Sequence, residues 1–367
     1  MRAVITGGGT GGHLFPGIAL AVALQQRQPG SEILFIGTRR LVDQKALQNR
    51  GFQLASLDST GVKGLGLGAQ LQSLLSQPAA IWQAWRLLSR FKPDLVFGVG
   101  GYVTGPVLLA AKMLGIATAI HEQNSVPGLA NRLAGRLVDR ICISIPCQPA
   151  FPSKKTVRTG NPVRTEIVAA SRQTRRQLQA ESGPSLLVLG GSQGAHAVNE
   201  RLVQAMAILR QAGFQAQLRH QTGSADAAMV RAGYEQAGVE AEVLPFIEDM
   251  AAAYSAADLV VSRAGATSLA ELAVMGLPAI VIPYPFAADD HQATNADYYA
   301  QGGGVKVFKE KDLSPELLAQ EIQSLLQDHK QLERMGMAMR ALAQPEAADL
   351  LVDECLTLVA AKARAKH

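Results

Sequence analysis

Clusters of glycine set directly behind short apolar runs constrain this chain more than any other feature. Arg2-Ala3-Val4-Ile5-Thr6 is short and rich in β-branched residues, and reads as a buried strand. Gly7-Gly8-Gly9-Thr10-Gly11-Gly12-His13 follows, then Pro16 and the apolar run 18–24, which read as a helix with proline in its first turn. A strand-to-helix turn offers unpaired N–H groups and a partial positive charge, and residues without a Cβ let an anion come close. A phosphate or pyrophosphate is the expected guest. The plan recurs at 186–189, where an apolar strand leads into Gly190-Gly191-Ser192-Gln193-Gly194 and a helix over 195–209. The repetition implies two similar doubly wound α/β domains.

A length of 367 residues suits two such domains. Glycine and proline in Thr159-Gly160-Asn161-Pro162-Val163-Arg164 break the pattern and place the linker there. The expected division is 1–162 and 163–344, with a last helix, about 345–367, packing back on the first domain. Charge divides the same way. Residues 1–162 hold 17 Lys/Arg against 6 Asp/Glu, and residues 163–367 hold 18 against 24. The basic half is expected to meet an anionic membrane surface or a pyrophosphate-bearing substrate. Nucleic acid ranks lower, because no helix-turn-helix, zinc finger or aromatic-basic signature is present. Cys142, Cys147 and Cys355 do not make a disulfide framework or a zinc site, and read as reduced thiols in the cytoplasm. No signal peptide is read ahead of the first strand, and the apolar region 103–120, interrupted by Lys112, reads as core.

Further along, a glycine-rich loop, 61–68, carries Lys63. Leu71, Leu74, Leu75, Ile81, Trp82, Trp85 and Leu88 then recur at helical spacing, with Pro78 as the start of a second helix and Arg86, Arg90 and Lys92 alongside. The stripe is either core or a surface that dips Leu and Trp into a bilayer, and two tryptophans in one place favour the bilayer. A second glycine turn, Gly98-Val99-Gly100-Gly101-Tyr102-Val103-Thr104-Gly105, follows a strand at 94–98. His121-Glu122-Gln123-Asn124 ends another strand, where open α/β sheets bind ligands. Glu122 and Asn124 there either serve chemistry or cap the next helix. Ser268-Leu269-Ala270-Glu271 has capping-box spacing, but a carboxylate in a helix mouth also suits a ribose diol. Gly7, Gly9 and Gly12 satisfy a dinucleotide fingerprint, yet Thr38-Arg39-Arg40 replaces the acid expected on the ribose, which keeps an NADP-linked reductase as the rival enzyme.

The motif set as a whole resembles the MurG family, N-acetylglucosaminyltransferases that make lipid II of peptidoglycan. The resemblance rests on Gly8 to His13 with Phe15-Pro16-Gly17, Gly100-Gly101-Tyr102-Val103, His121 to Asn124, Gly160 to Arg164, Gly190 to Gly194, and Arg263-Ala264-Gly265-Ala266 with Glu271, all in order. It implies two Rossmann-like domains facing across a cleft (the GT-B architecture). It also implies inverting transfer of GlcNAc from UDP-GlcNAc to the MurNAc 4-hydroxyl of undecaprenyl-pyrophosphoryl-MurNAc-pentapeptide, at the cytoplasmic face of the membrane; no cofactor is expected, and since helix N-termini and Arg164 can meet the diphosphate charge and no Asp-x-Asp pair stands beside the nucleotide loops, no metal either. By resemblance Ser192 meets the diphosphate, the Phe246-Ile247 backbone the uracil, Ala266, Thr267 and Ser268 the phosphates, Glu271 the ribose and Gln292 the sugar. Arg164, Asn124, Thr10, Gly11 and Gly12 complete the donor site. Gly9, Lys63, Leu75, Trp82, Trp85, Arg86 and Tyr102 are assigned to the acceptor and membrane side. His13 is the expected base, with Glu122 as its rival.

Overall fold

Aliphatic runs covered on both faces form parallel strands, and the helices between consecutive strands supply the cover. The structure is a computed structural model that describes residues 1–7, 11–37, 51–57, 67–173, 183–191 and 194–365, with the side chains of 11–13 and 67–77 outside that description. The chain forms two units, Met1–Val163 with Pro345–His367, and Arg164–Gln344.

In the first unit β1 (Arg2–Thr6), β2 (Glu32–Gly37), β3 (Gln53–Ser56), β4 (Leu95–Gly98), β5 (Ala117–Glu122), β6 (Arg140–Ile143) and β7 (Thr156–Arg158) form one sheet. Their order is β3-β2-β1-β4-β5-β6-β7, every pairing parallel. The connecting helices are α1 (Gly11–Arg27), α2 (Leu67–Phe91), α3 (Thr104–Met113) and α4 (Leu129–Leu137). Right-handed crossovers send α1 to one face of this sheet and α2, α3 and α4 to the other. The two cores agree. Ile18, Leu20 and Leu24 pack on Ile5, Phe35 and Phe97, while Leu88, Val107 and Leu108 pack on Val4, Ile36, Val96 and Ile120.

In the second unit β8 (Ser185–Leu189), β9 (Gln217–Gln221), β10 (Ala241–Leu244), β11 (Leu259–Ser262), β12 (Ala279–Val281) and β13 (Val305–Val307) lie in the order β10-β9-β8-β11-β12-β13, again all parallel. Its helices are α5 (Thr165–Ser171), α6 (His196–Gln211), α7 (Ala227–Gln236), α8 (Met250–Ala256), α9 (Ala266–Met275), α10 (His291–Gln301), α11 (Pro315–Gln327) and α12 (His329–Leu342). The last helix, α13 (Ala347–Arg364), belongs to the first unit. There Leu351, Val352, Cys355 and Leu358 join the core on the α1 face. Arg27 pairs with Asp353 at 2.9 Å and Arg140 with Glu354 at 3.1 Å.

Strand order reverses between β1 and β4 in one sheet and between β8 and β11 in the other. Open α/β sheets bind ligands outside the carboxyl ends of the strands at such points. Gly7, the glycine turn at 98–105, Gly190-Gly191 and the Arg263-to-Ala266 turn follow these four strands directly. Glycine is required by close approach at Gly7, where a Cβ would lie 2.3 Å from Val99 Cγ2. Gly194 needs both a left-handed φ of 79° and room beside the Thr222 carbonyl, 2.9 Å from a built Cβ.

Four features depart from the sequence reading. Strand β13 and helix α12 were not anticipated. Helix α2 runs unbroken through Pro78 rather than restarting there. Its stripe splits: Ala84 and Leu88 are buried, while Trp82, Trp85 and Arg86 are exposed. The expectations for Gly9, Thr10, Thr38 to Arg40, Lys63 and Ser192, and for the side chains of His13 and Leu75, lie outside the described residues. Among the described residues no helix is long and apolar enough to cross a membrane.

Candidate active site

In the second unit the β11 strand ends in Ser262, and Gly265, extended at φ −65° and ψ 133°, is the N-cap of α9. Its N-cap is a glycine with no side chain to cap it, so the backbone N–H groups of Ala266, Thr267 and Ser268 form its first turn. Such a turn favours negative charge. The capping box expected from Ser268 and Glu271 is not made. The helix begins at Ala266, which places Ser268 inside the first turn and Glu271 a full turn beyond it.

Glu271 is instead held by a buried group of partners. Its Oε1 accepts from Arg164 Nε at 2.8 Å, and its Oε2 accepts from Arg164 Nη2 at 3.0 Å and from the Tyr254 hydroxyl at 3.0 Å. Tyr254 is fully buried, and burial followed by the Glu271 charge holds its phenol protonated, well above the ordinary tyrosine range. Burial opposes the Arg164 charge, but the hydrogen bond and charge of Glu271 outweigh it and raise the guanidinium pKa. Three donors on four lone-pair positions leave Oε1 the natural place for one further hydroxyl. Arg164 was expected at a diphosphate; among the described residues its paired partner is Glu271.

The neighbouring loop carries backbone strain. Asp289 and Asp290 both have φ of 54°, a left-handed conformation that costs non-glycine residues on the order of 1 kcal/mol each. Gln292 follows directly, and its Oε1 accepts from Tyr284 N at 2.9 Å. His291 Nδ1 meets the Ala288 carbonyl. Phe246 is exposed and Ile247 buried. The Ile247 N–H, one of the backbone groups assigned to uracil, donates to Gln221 Oε1 at 3.2 Å, which leaves the carbonyl as its reading group.

In the first unit β5 delivers His121 and Glu122. Glu122 is buried, and every polar contact it makes is with a donor. Oε1 accepts from Asn124 N (3.0 Å) and Nδ2 (3.2 Å), and Oε2 from Gly128 N (3.1 Å) and Asn131 Nδ2 (2.9 Å). Burial raises its carboxyl pKa, and these donors offset only part of the rise. The carboxylate thus ties the 123–128 loop and the first turn of α4 to the end of β5. A glutamine in its place sets an amide NH₂ among donors. Glu122→Gln is therefore expected to cost about 2 kcal/mol and about 4–8 °C in Tm, measured by thermal unfolding. An unchanged Tm with a fall in kcat alone would instead make Glu122 a chemical group.

His121 is fully buried. Its Nε2–H donates to the Gly160 carbonyl at 2.9 Å, and its Nδ1 accepts from Gln123 Nε2 at 3.3 Å. Burial drives its pKa down to about 4. In the second unit, burial likewise lowers His220, between Tyr234 and Asn199, to about 3. An unfolded histidine takes up its proton near 6.5, so acid favours the unfolded chain below that value. The stability from a neutral His121 is complete above pH 6.5 and lost as pH falls towards 4, about 3 kcal/mol at 1.4 kcal/mol per unit. An imidazole NMR titration is expected to find the His121 ring neutral down to about pH 4. A midpoint near 6.5 would remove this contribution.

Sequence reasoning named Glu271, Ile247 and Glu122 but not Tyr254, Gln221 and Asn131, which hold them in that order. None of these three belongs to a local motif. The cysteines are free thiols and buried, and burial pushes Cys142 and Cys147 up to about 12.

Comparison with known proteins covers nearly the whole chain. The glycosyltransferase family 28 N-terminal domain matches residues 3–143 and the family 28 C-terminal domain residues 185–351. A Desulfotalea psychrophila UDP-N-acetylglucosamine–N-acetylmuramyl-(pentapeptide) pyrophosphoryl-undecaprenol N-acetylglucosamine transferase is 48% identical over 98% of this chain and 97% of its own. The enzyme of the same name from Anaeromyxobacter sp. strain K is 43% identical over 98% of this chain and 93% of its own. Among solved structures, Acinetobacter baumannii MurG matches with a TM-score of 0.79 and 34% identity, covering 97% of this chain and 99% of that one. A kitacinnamycin glycosyltransferase, at 18% identity and TM-score 0.69, shares the fold.

Proposed function

The chain belongs to the MurG family of glycosyltransferase family 28, and from that premise we infer that it transfers N-acetylglucosamine from UDP-GlcNAc to lipid I, forming lipid II in peptidoglycan synthesis. The observation that carries this is the 48% identity, over 98% of the chain, to an enzyme named for that activity. The enzyme is membrane-associated; the proposed location is peripheral, on the cytoplasmic face, where UDP-GlcNAc is at hand. The basic first unit takes the lipid-linked acceptor and the second unit takes the nucleotide sugar.

The reaction is one displacement. The MurNAc 4-hydroxyl oxygen bonds to the sugar's anomeric carbon, the bond from that carbon to UDP breaks, and the hydroxyl proton goes to a base. On the donor side, Glu271 holds a ribose hydroxyl, the Ile247 carbonyl the uracil, and Gln292 the sugar. The open first turn of α9 at Ala266 to Ser268, with Ser192 and the Arg164 charge, meets the departing diphosphate. Asn124 and Thr10 to Gly12 act from the first unit, with Gly9 and Tyr102 on the acceptor. The base is His13, in the first turn of α1. The four donors locked on Glu122 support a positioning role for it instead.

Incubation with radiolabelled UDP-GlcNAc and lipid I is expected to move label into the lipid phase with release of UDP. No label in lipid, or oxidation of NADPH followed at its nicotinamide absorbance, would count against the reading.

A further inference from the structure

A row of polar side chains crosses the second unit and ends beside the glycines that follow β8. Tyr234 on α7, His220 on β9, Asn199 on α6 and Asp226 at the N-cap of α7 follow one another at hydrogen-bond distance. His196, the first residue of α6, closes the row at the surface. Tyr234, His220 and Asn199 are buried.

Two acceptors at the outer end fix the direction of every bond in the row. Asn199 Nδ2 lies 2.8 Å from Asp226 Oδ2 and 3.0 Å from the Thr222 carbonyl. Carboxylate and carbonyl oxygens only accept, so this end of the amide is its NH₂ and Oδ1 faces His220. His220 Nε2, 3.1 Å from that oxygen, therefore carries the ring proton. Burial keeps the ring neutral, so its Nδ1 is bare and accepts from the Tyr234 hydroxyl at 2.8 Å. The donors all point outward and converge on Asp226. From the surface, His196 Nδ1 donates to Asp226 Oδ1 at 3.0 Å. A polar network matched in this way holds one geometry.

The row backs onto both ends of the glycine segment. A Cβ on Gly190 would lie 3.2 Å from Asn199 Oδ1 and 2.9 Å from the Gln221 carbonyl, which also accepts from Gly190 N at 2.8 Å. A Cβ on Gly194 would lie 3.8 Å from Asp226 Oδ2 and 2.9 Å from the Thr222 carbonyl. His196 brings charge to the same place. Its ring stands between Asp226 Oδ1 at 3.0 Å and Glu200 Oε1 at 3.4 Å. These are the charged groups that reach it: the Asp226 hydrogen bond, the Asp226 charge and then the Glu200 charge raise its pKa above the ordinary histidine value. The first turn of a helix opposes positive charge, so the two carboxylates are what hold a charged ring there.

We propose that Asp226, held from inside by Asn199 and from the surface by His196, is a positioning residue that fixes Gly190, Gly191 and Gly194 in the shape that receives the diphosphate of the nucleotide sugar. This deepens the reading of the second unit as the nucleotide-sugar site, and rests on it. Backbone that is already in its bound shape does not have to be ordered when the anion arrives.

Calorimetric titration of the full chain with UDP and with uridine tests this. Asp226→Asn turns one oxygen into an NH₂ that must meet Asn199 Nδ2 or His196 Nδ1, both donors. Its Kd for UDP is expected to rise about tenfold or more, and its Kd for uridine to stay within about twofold, because Glu271 and the Ile247 backbone are untouched. His196→Ala removes only the outer bond and leaves the buried row whole. A rise of about threefold for UDP alone is expected, and this variant carries the test should Asp226→Asn fail to fold. As pH rises from about 7 to 9 and His196 loses its charge, wild-type affinity for UDP should fall about threefold, and His196→Ala should lack that fall. Wild-type UDP affinity in both variants, or an equal loss for UDP and uridine, overturns the proposal and leaves the nucleotide-sugar reading standing. A wild-type chain that binds neither UDP nor uridine overturns that reading, and the proposal with it.

Discussion

Replacing Glu271 by alanine is expected to lower kcat/KM for UDP-GlcNAc by about 10²–10³-fold, or ~3–4 kcal/mol of transition-state stabilisation. Two losses combine. The ribose loses its acceptor, and Arg164 and Tyr254 lose the group that holds them. Removing one member of a buried ion pair costs roughly 3–5 kcal/mol, and less here, because the Arg164 side chain is 24% exposed. The effect should fall mainly on KM, since a ribose contact is made in ground state and transition state alike. Tyr254→Phe removes one hydrogen bond and keeps the ring, so a rise in KM of about 3–10-fold is expected, ~1 kcal/mol. Steady-state kinetics with varied UDP-GlcNAc separates the two. A Glu271→Ala enzyme with unchanged KM would take the ribose away from this carboxylate.

His13→Ala should act on the other parameter. General-base removal costs about 10²–10⁴-fold, and a fall of about 10³-fold in kcat is expected, with KM for UDP-GlcNAc within a few-fold. The residue lies in the first turn of α1. A histidine that serves as general base must be neutral to take the hydroxyl proton. The acid limb of the kcat profile should therefore disappear in His13→Ala. A loss of under tenfold, with the limb intact, would move the proton transfer to another group.

The fold was legible wherever the backbone itself imposed the residue. Glycine clusters behind β1, β4 and β8 announced the switch points because close approach and left-handed φ exclude other residues. Side-chain partnerships were legible only when local. Ser268 and Glu271 have capping-box spacing, yet Gly265 starts the helix earlier and Arg164, 107 residues away, claims the carboxylate. Nothing near Tyr254 in sequence marks it as the third member. The outward leucines of α4 went unread for a related reason. Periodicity reports that leucines share a face, and the usual assumption that such a face points inward fails there. Strand β13 has three residues, too few for any alternation to register.

The route of the chain through its two units has a consequence for biosynthesis. Residues 164–344 are contiguous, so that unit has all its parts once they leave the ribosome. The first unit begins emerging earlier but waits for α13, whose Leu351, Val352, Cys355 and Leu358 close the face formed by α1. Until α13 has been made, that oily face stands uncovered in the nascent polypeptide, and of the two units the one begun earlier matures later.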